Sequence, residues 1–125
     1  MGAVTDVRAV ALDDVPVIEL PGGSWSRMVV TDESVSGNGA SIGYSVFTPG
    51  TATDPVSHKT DEVAYVLSGS GELRLDKGAV QFKAGDGLFI PADVWHAVVN
   101  TGDEDVAMVF GFPFPSYPPT ERRET

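Results

Sequence analysis

The two histidines of this chain are the residues whose types and spacing best suit chemistry. His58 is followed four residues later by Glu62, and His96 lies in a second segment that opens at Gly85. Two imidazoles and one carboxylate form the smallest set that holds a transition metal and leaves coordination positions open. The function of the protein therefore depends on whether these three side chains meet.

The composition excludes several functional classes. A length of 125 residues predicts one domain, and the absence of cysteine excludes disulfides, zinc thiolate sites and thiol catalysis. The net charge of −10 disfavours nucleic acids and anionic membranes, which bind clustered lysines and arginines. No apolar run approaches the roughly 18 residues of a membrane-spanning helix. We therefore expect a cytoplasmic protein whose partner is a small-molecule ligand, with no nucleic acid and no membrane.

Short strands must position the candidate residues, because the chain lacks sustained helical periodicity. Ile42, Tyr44 and Val46 alternate with small residues, which predicts a strand with these three on its buried face. The pattern predicts further strands at residues 63–67, 73–75, 80–82, 88–90, 94–99 and 106–112. Many short strands separated by turn residues favour an all-β sandwich or barrel.

The two ends of the sequence differ from its middle. Residues 1–24 are expected to form an irregular N-terminal arm with one short strand, and residues 25–112 the barrel. Four prolines make residues 113–125 an extended, Pro-rich C-terminal tail. We expect the charged residues 121–125 to be frayed.

The segment around His58 resembles the first sequence motif of the cupin superfamily, G-x5-H-x-H-x3-E-x6-G. Gly50, His58, Glu62 and Gly69 stand at the spacings of that motif. Val56 stands where the family usually has its first metal-binding histidine.

The segment around His96 resembles the second cupin motif, G-x5-P-x-G-x2-H-x3-N. Gly85, Pro91, His96 and Asn100 match it, and Asp93 replaces a glycine. Because that position favours a left-handed backbone, we expect Asp93 to adopt one. The resemblance to small single-domain cupins implies an all-β fold, a jelly-roll barrel of the double-stranded β-helix type.

The resemblance also implies a site. His58, Glu62 and His96 are the expected catalytic residues and the expected ligands of a divalent transition metal, namely Fe, Mn, Ni, Cu or Zn. The missing first histidine leaves a coordination position for water, oxygen or substrate. Small cupins commonly pair and exchange N-terminal strands, so we expect a homodimer that uses residues 1–30.

Four further residues are candidates for binding the substrate. Tyr44 is expected to face into the barrel, and Tyr65 and Trp95 to line a ligand cavity. Arg27 is one of few basic residues near a strand and is expected to orient a substrate carboxylate.

Three functions stay open at this point. The first is a metal-dependent enzyme, a dioxygenase or a cyclase or isomerase, that acts on a small oxygen-rich or aromatic metabolite. The second is a metal-free cupin in which His58 or His96 transfers protons, as in a dehydratase or epimerase. The third is a non-catalytic binder of a small molecule.

Overall fold

Two antiparallel sheets face each other in the computed structural model, which describes residues 6–124. Its strands, numbered in chain order, are β1 Ile18–Glu19, β2 Trp25–Val30, β3 Ser41–Phe47, β4 Val56–His58, β5 Glu62–Ser68, β6 Ser70–Leu75, β7 Ala79–Lys83, β8 Gly87–Ile90, β9 His96–Asn100, β10 Val106–Phe112 and β11 Thr120–Arg122. One sheet has the order β1-β2-β3-β10-β5-β8, and the other has the order β11-β4-β9-β6-β7. This confirms the predicted all-β jelly roll in a single domain.

Helical structure in the described part of the chain is limited to two 3-10 turns, Leu12–Asp14 and Pro21–Gly23. Within residues 6–124 there is no helix with the length and apolar character that crossing a membrane requires.

Alternate residues of the two sheets fill the space between them. Val66 and Val106 are fully buried, and they pack with Phe47, Leu73, Phe82, Ile90 and Met108. Burying one such side chain contributes about 1.5–3 kcal/mol, so this layer holds the two sheets together. The strands predicted at residues 63–67, 73–75, 80–82, 88–90 and 106–112 are confirmed as β5, β6, β7, β8 and β10.

The prediction for the buried face of β3 is wrong. Ser41, Gly43, Ser45 and Phe47 are buried, whereas Ile42 is 40% exposed and Tyr44 and Val46 are half-buried. A side chain at position 43 would project inward into the space that the ring of Phe110 occupies, so only glycine fits there. Ile42, Tyr44 and Val46 therefore lie on the outer surface of the sheet, and Phe47 is the one large side chain of β3 that faces inward.

The C-terminal residues take part in the fold. β11 pairs with β4 in antiparallel register, with Thr120 opposite His58 and Arg122 opposite Val56. The carbonyl of Pro119 accepts a hydrogen bond from Lys59 N, at 3.0 Å. The expectation of a frayed end is therefore wrong for Glu121 and Arg122, because prolines lack a donor but keep their carbonyl acceptors.

The described part of residues 1–24 holds two 3-10 turns and one short strand. β1 pairs with β2 of the same chain. Residues 1–5 and Thr125, which belong to the predicted arm and tail, lie outside the described residues.

Gly71 provides a test of how closely the second sheet is packed. A Cβ on Gly71 would collide with the backbone oxygen of Val99 and lie 2.9 Å from Phe82 Cζ. We expect Gly71→Ala to lower the free energy of unfolding by about 2 kcal/mol, because overpacking displaces β9 or Phe82. Urea denaturation measures the effect. Gly39→Ala is the matched control, since a Cβ there has no neighbour within 4 Å, and equal midpoints for the two variants would contradict the packing described.

Candidate metal centre

Three strands bring His58, Glu62 and His96 together. His58 ends β4, Glu62 begins β5 after a short turn, and His96 begins β9. The register of β4 and β9 places Val56 opposite His96. One donor atom from each of the three side chains lies within 4.8 Å of the others, which is close enough for a single ion.

The turn before β9 aims His96 into this group. Val94 N donates to Pro91 O at 3.3 Å, and Asp93 has φ 69°, which confirms its expected left-handed conformation. Because of this turn the strand begins at His96 and not at residue 94, where the sequence pattern places it.

Hydrogen bonds fix the proton position on both imidazoles. Thr120 Oγ1 lies 2.7 Å from His58 Nδ1 and donates its own proton to Pro118 O, so it accepts from His58. His96 Nδ1 lies 2.9 Å from Val94 O, a carbonyl that only accepts. In each neutral ring the proton is therefore on Nδ1, and the lone pair on Nε2 is free to bind an ion.

Glu62 Oε1 lies between these two lone pairs. It is 3.1 Å from His58 Nε2 and 3.4 Å from His96 Nε2, and it is buried without a hydrogen-bond partner. A buried carboxylate oxygen and two nitrogen lone pairs repel one another unless a cation joins them. The residues present therefore fit a divalent ion with nitrogen and oxygen ligands, a set that suits Fe, Mn, Ni, Cu or Zn.

The pKa values of the pair agree with this need for positive charge. Burial acts to raise the pKa of Glu62, but His58 and His96 outweigh it and hold that pKa below its usual value. Burial acts to lower the pKa of His96, but Glu62 and the Val94 carbonyl outweigh it and raise that pKa. Glu62 is therefore a carboxylate at neutral pH, and its negative charge favours a positive charge beside it.

Aromatic rings hold His58 in place. Its ring meets those of Phe112 and Tyr117 edge-on, with centroids 5.1 and 5.3 Å away, and it meets the ring of His96 at 5.1 Å. These contacts leave little room for the imidazole to turn, so the site is organised before a ligand arrives.

The three side chains line a cavity of about 450 Å³. Its wall is mainly apolar and includes Leu20, Phe47, Val98, Met108, Phe110 and Phe112. Ser26 and Ser45, hydrogen bonded to each other at 2.6 Å, form a polar patch in that wall. A cavity of this size whose wall surface is mainly apolar is typical of sites for small organic ligands.

The predicted substrate-binding tyrosines lie outside this cavity. Tyr44 is on the outer face of β3, where its ring lies 5.9 Å from that of Trp25. Tyr65 is on the outer face of β5 and is 51% exposed. The expectation that Tyr44 faces into the barrel is wrong because the inward positions of β3 are taken by smaller residues and Phe47.

Trp95 and Arg27 also lie away from the cavity. Trp95 stacks with the guanidinium of Arg123, whose carbon is 3.8 Å from the ring centroid. Arg27 donates to the carbonyls of Leu12 and Val15, at 2.9 and 3.1 Å, and so fastens the N-terminal arm to β2. These contacts account for both side chains in the folded chain.

Sequence reasoning missed the residues that the C-terminus contributes. Thr120 binds His58, and Tyr117 and Arg122 line the cavity. Residues 120–122 follow four prolines and form too short a segment for the sequence pattern to predict a strand there.

Thr120 is expected to support the metal site through His58. Thr120→Val keeps the shape of the side chain but removes the acceptor for His58 Nδ1–H. Since partners of metal-bound histidines contribute 10- to 100-fold to affinity, we expect metal binding to weaken by about tenfold. Titration calorimetry measures the change, and Thr120→Ser should restore the affinity. Equal dissociation constants for wild type and Thr120→Val would show that ring packing alone orients His58.

Comparison with known proteins places these observations in a family. A family model described as a cupin domain matches residues 43–112. Protein SchB of Streptomyces halstedii is 36% identical over 104 residues, which cover 82% of this chain and 75% of SchB. Polyketide synthase CurC of Streptomyces cyaneus is 33% identical over 85 residues, which cover 67% of this chain and 55% of CurC.

Solved structures share the fold at lower identity. The polyketide cyclase RemF from Streptomyces resistomycificus superimposes with a TM-score of 0.77 at 22% identity, over 96% of this chain and 87% of RemF. Oxalate decarboxylase from Bacillus subtilis gives a TM-score of 0.77 at 21% identity, over 89% of this chain and 30% of that enzyme.

Proposed function

This chain belongs to the cupin family, and we propose that it is a metal-dependent enzyme that closes a ring in a small polyketide-like substrate. The observation that carries the proposal is the buried group of His58, Glu62 and His96 in the wall of a mainly apolar cavity. The names of two similar proteins, a polyketide synthase and a polyketide cyclase, support the choice of substrate class.

The donor set suits chemistry on a carbonyl. A divalent metal, when bound, supplies a Lewis acid that polarises a carbonyl oxygen and favours the enolate. One carboxylate against a divalent ion would leave a net positive charge, so an ion held by His58, Glu62 and His96 would attract the oxygens of a β-dicarbonyl group. Ring closure then forms a carbon–carbon bond between an enolate carbon and a second carbonyl carbon, with water as the leaving group, and needs no oxidant.

The cavity wall would serve the same reaction. Phe110 and Phe112, whose ring centroids are 5.8 Å apart, give a flat chain an apolar surface to pack on. Closely packed apolar walls exclude water, which strengthens the electrostatic interactions inside and prevents side reactions of an enolate. The hydroxyls of Ser26 and Ser45 can hydrogen bond to a further substrate oxygen.

A substrate assay with mass detection tests the proposal. Protein purified without chelator is analysed for bound metals and incubated with a linear polyketo ester, with and without EDTA. We expect a product lighter by one water, formed only by the metal-loaded protein. Uptake of molecular oxygen into the product would overturn ring closure in favour of a dioxygenase. Turnover that resists EDTA would overturn metal dependence, and binding without turnover would overturn the enzyme assignment.

The cellular context stays a prediction from the sequence. The acidic composition argues against a nucleic acid partner and is compatible with the expected cytoplasmic location. The expected homodimer would pair apolar surfaces such as the outer face of the first sheet, where Val63, Tyr65 and Leu67 are about half-exposed.

A further inference from the structure

We infer that Arg122 binds a carboxylate of the substrate, so that the cavity takes a keto acid in preference to its neutral ester. The inference deepens the proposed function by naming the substrate as an acid, and it rests on that function for the site but not for the reaction. It also moves the role first expected of Arg27 to a residue at the other end of the chain.

The register of β11 places Arg122 on the inner side of the sheet. Thr120 lies opposite His58 and Arg122 lies opposite Val56. Side chains directly opposite each other in an antiparallel pair share a face of the sheet. Thr120 confirms the direction, since its hydroxyl binds His58, and Arg122 accordingly lines the cavity.

The guanidinium of Arg122 has no partner among the residues that the structure describes. Arg27, Arg74 and Arg123 each lie within 4 Å of a carboxylate oxygen, whereas no ion pair or hydrogen bond within residues 6–124 involves the Arg122 side chain. Glu19 also lines the cavity, and no ion pair joins it to Arg122 in the described part of the chain. An unpaired guanidinium at the rim of a cavity is available for a ligand.

Arg122 and the metal centre both lie near Tyr117. Burial and Glu62 raise the pKa of Tyr117, while Thr120 and Arg122 act to lower it. The ring of Tyr117 in turn lies 5.3 Å from that of His58. Arg122 is therefore part of the same electrostatic environment as the three candidate ligands, in a chain whose net charge of −10 otherwise repels anions.

The spacing sets the kind of acid that fits. Arg122 lies two residues from Thr120, which corresponds to about 7 Å along an extended strand. A guanidinium binds a carboxylate through two parallel hydrogen bonds, which fixes both position and orientation. The acid that we propose has a carboxylate at one end for Arg122 and a β-dicarbonyl group next to it for the metal centre, a separation on the order of this strand spacing.

Binding of an acid and its ester by the metal-loaded protein tests the inference. The probes are the triketide triacetic acid and its methyl ester, which differ in the carboxylate alone, and titration calorimetry gives both dissociation constants. We expect the wild type to prefer the acid by about tenfold, the effect of one charge-assisted contact. Arg122→Gln should lose this preference while its affinity for the ester and its metal content stay unchanged.

The matched control is Arg123→Gln, which removes the neighbouring guanidinium that pairs with Asp76 at 2.7 Å. It should keep the preference for the acid. Acid preference that persists in Arg122→Gln, or equal binding of acid and ester by the wild type, would overturn the inference.

A salt titration tests the inference without a substitution. If Arg122→Gln does not fold, the wild type is titrated at increasing salt, where affinity for the acid should fall and affinity for the ester should not. Equal salt dependence would overturn the inference. Acid preference without ring closure would leave the role of Arg122 standing and reject only the proposed reaction.

Discussion

Replacement of Glu62 by glutamine is expected to weaken metal binding by at least about 100-fold and to abolish turnover. The lower bound follows because loss of a mere partner of a metal-bound histidine already costs 10- to 100-fold, and Glu62 is the only carboxylate in the group. Glutamine keeps the shape of the side chain but removes the negative charge that lies 3.1 and 3.4 Å from the two imidazoles. Elemental analysis and calorimetry of the purified variant measure the effect.

The fold should survive this substitution. The strand that carries Glu62 is held by its backbone pairing with β10 and β8, which the substitution leaves in place. Glu72→Gln is the matched control, because Glu72 pairs with Arg74 and Gln81 on the surface, away from the cavity. A Glu62→Gln protein that still binds one equivalent of metal with wild-type affinity would reject the metal centre.

Much of the candidate site could be predicted because it depends on local spacing. His58 and Val56 share a face since residues two apart in a strand point the same way. The distance between the two motifs then brings His96 to the neighbouring strand, and the register of β4 and β9 agrees with this. Such relations follow from strand periodicity and turn positions, which a sequence displays directly.

The orientation of β3 could not be predicted because its alternating apolar residues face outward, while small residues face the interior. Alternation identifies the buried face only when the other face is polar, and an error of one residue moves every side chain to the opposite face. Ile42 and Tyr44 cover the outside of a sheet that also exposes Val63 and Phe89, at 55% and 62%. A hydrophobic outer surface therefore defeats the rule that large apolar residues face inward.

The choice between Arg27 and Arg122 could not be predicted either, since it depends on tertiary contacts. Arg27 stands near a strand in the sequence, but carbonyls of the N-terminal arm engage its guanidinium. Arg122 stands in a short charged segment after four prolines, and only its pairing with β4 brings it to the cavity. Sequence proximity to a motif is thus a weaker guide to the site than strand pairing.

Val56 is the position at which this chain departs from the ligand set of its family, and its replacement by histidine is expected to have the opposite effect to Glu62→Gln. Val56 lines the cavity, shares a face with His58 and lies opposite His96. An imidazole there would reach the same ion as a fourth ligand. Because removal of one ligand is expected to cost at least about 100-fold, we expect the gained ligand to tighten metal binding by about the same factor.

Tighter binding should come with slower turnover. A fourth protein ligand fills a coordination position that the proposed reaction uses for a substrate oxygen, so the open site that distinguishes catalytic from structural metal centres is reduced. Calorimetry measures metal affinity, and the ring-closure assay measures turnover. Both are applied to Val56→His and to Val56→Leu, which controls for side-chain volume. If Val56→His binds metal no more tightly than Val56→Leu does, position 56 does not face the ion. If Val56→His gains both affinity and turnover, valine does not keep a coordination position open for the substrate, and the proposed reaction has to proceed with the metal held by four protein ligands.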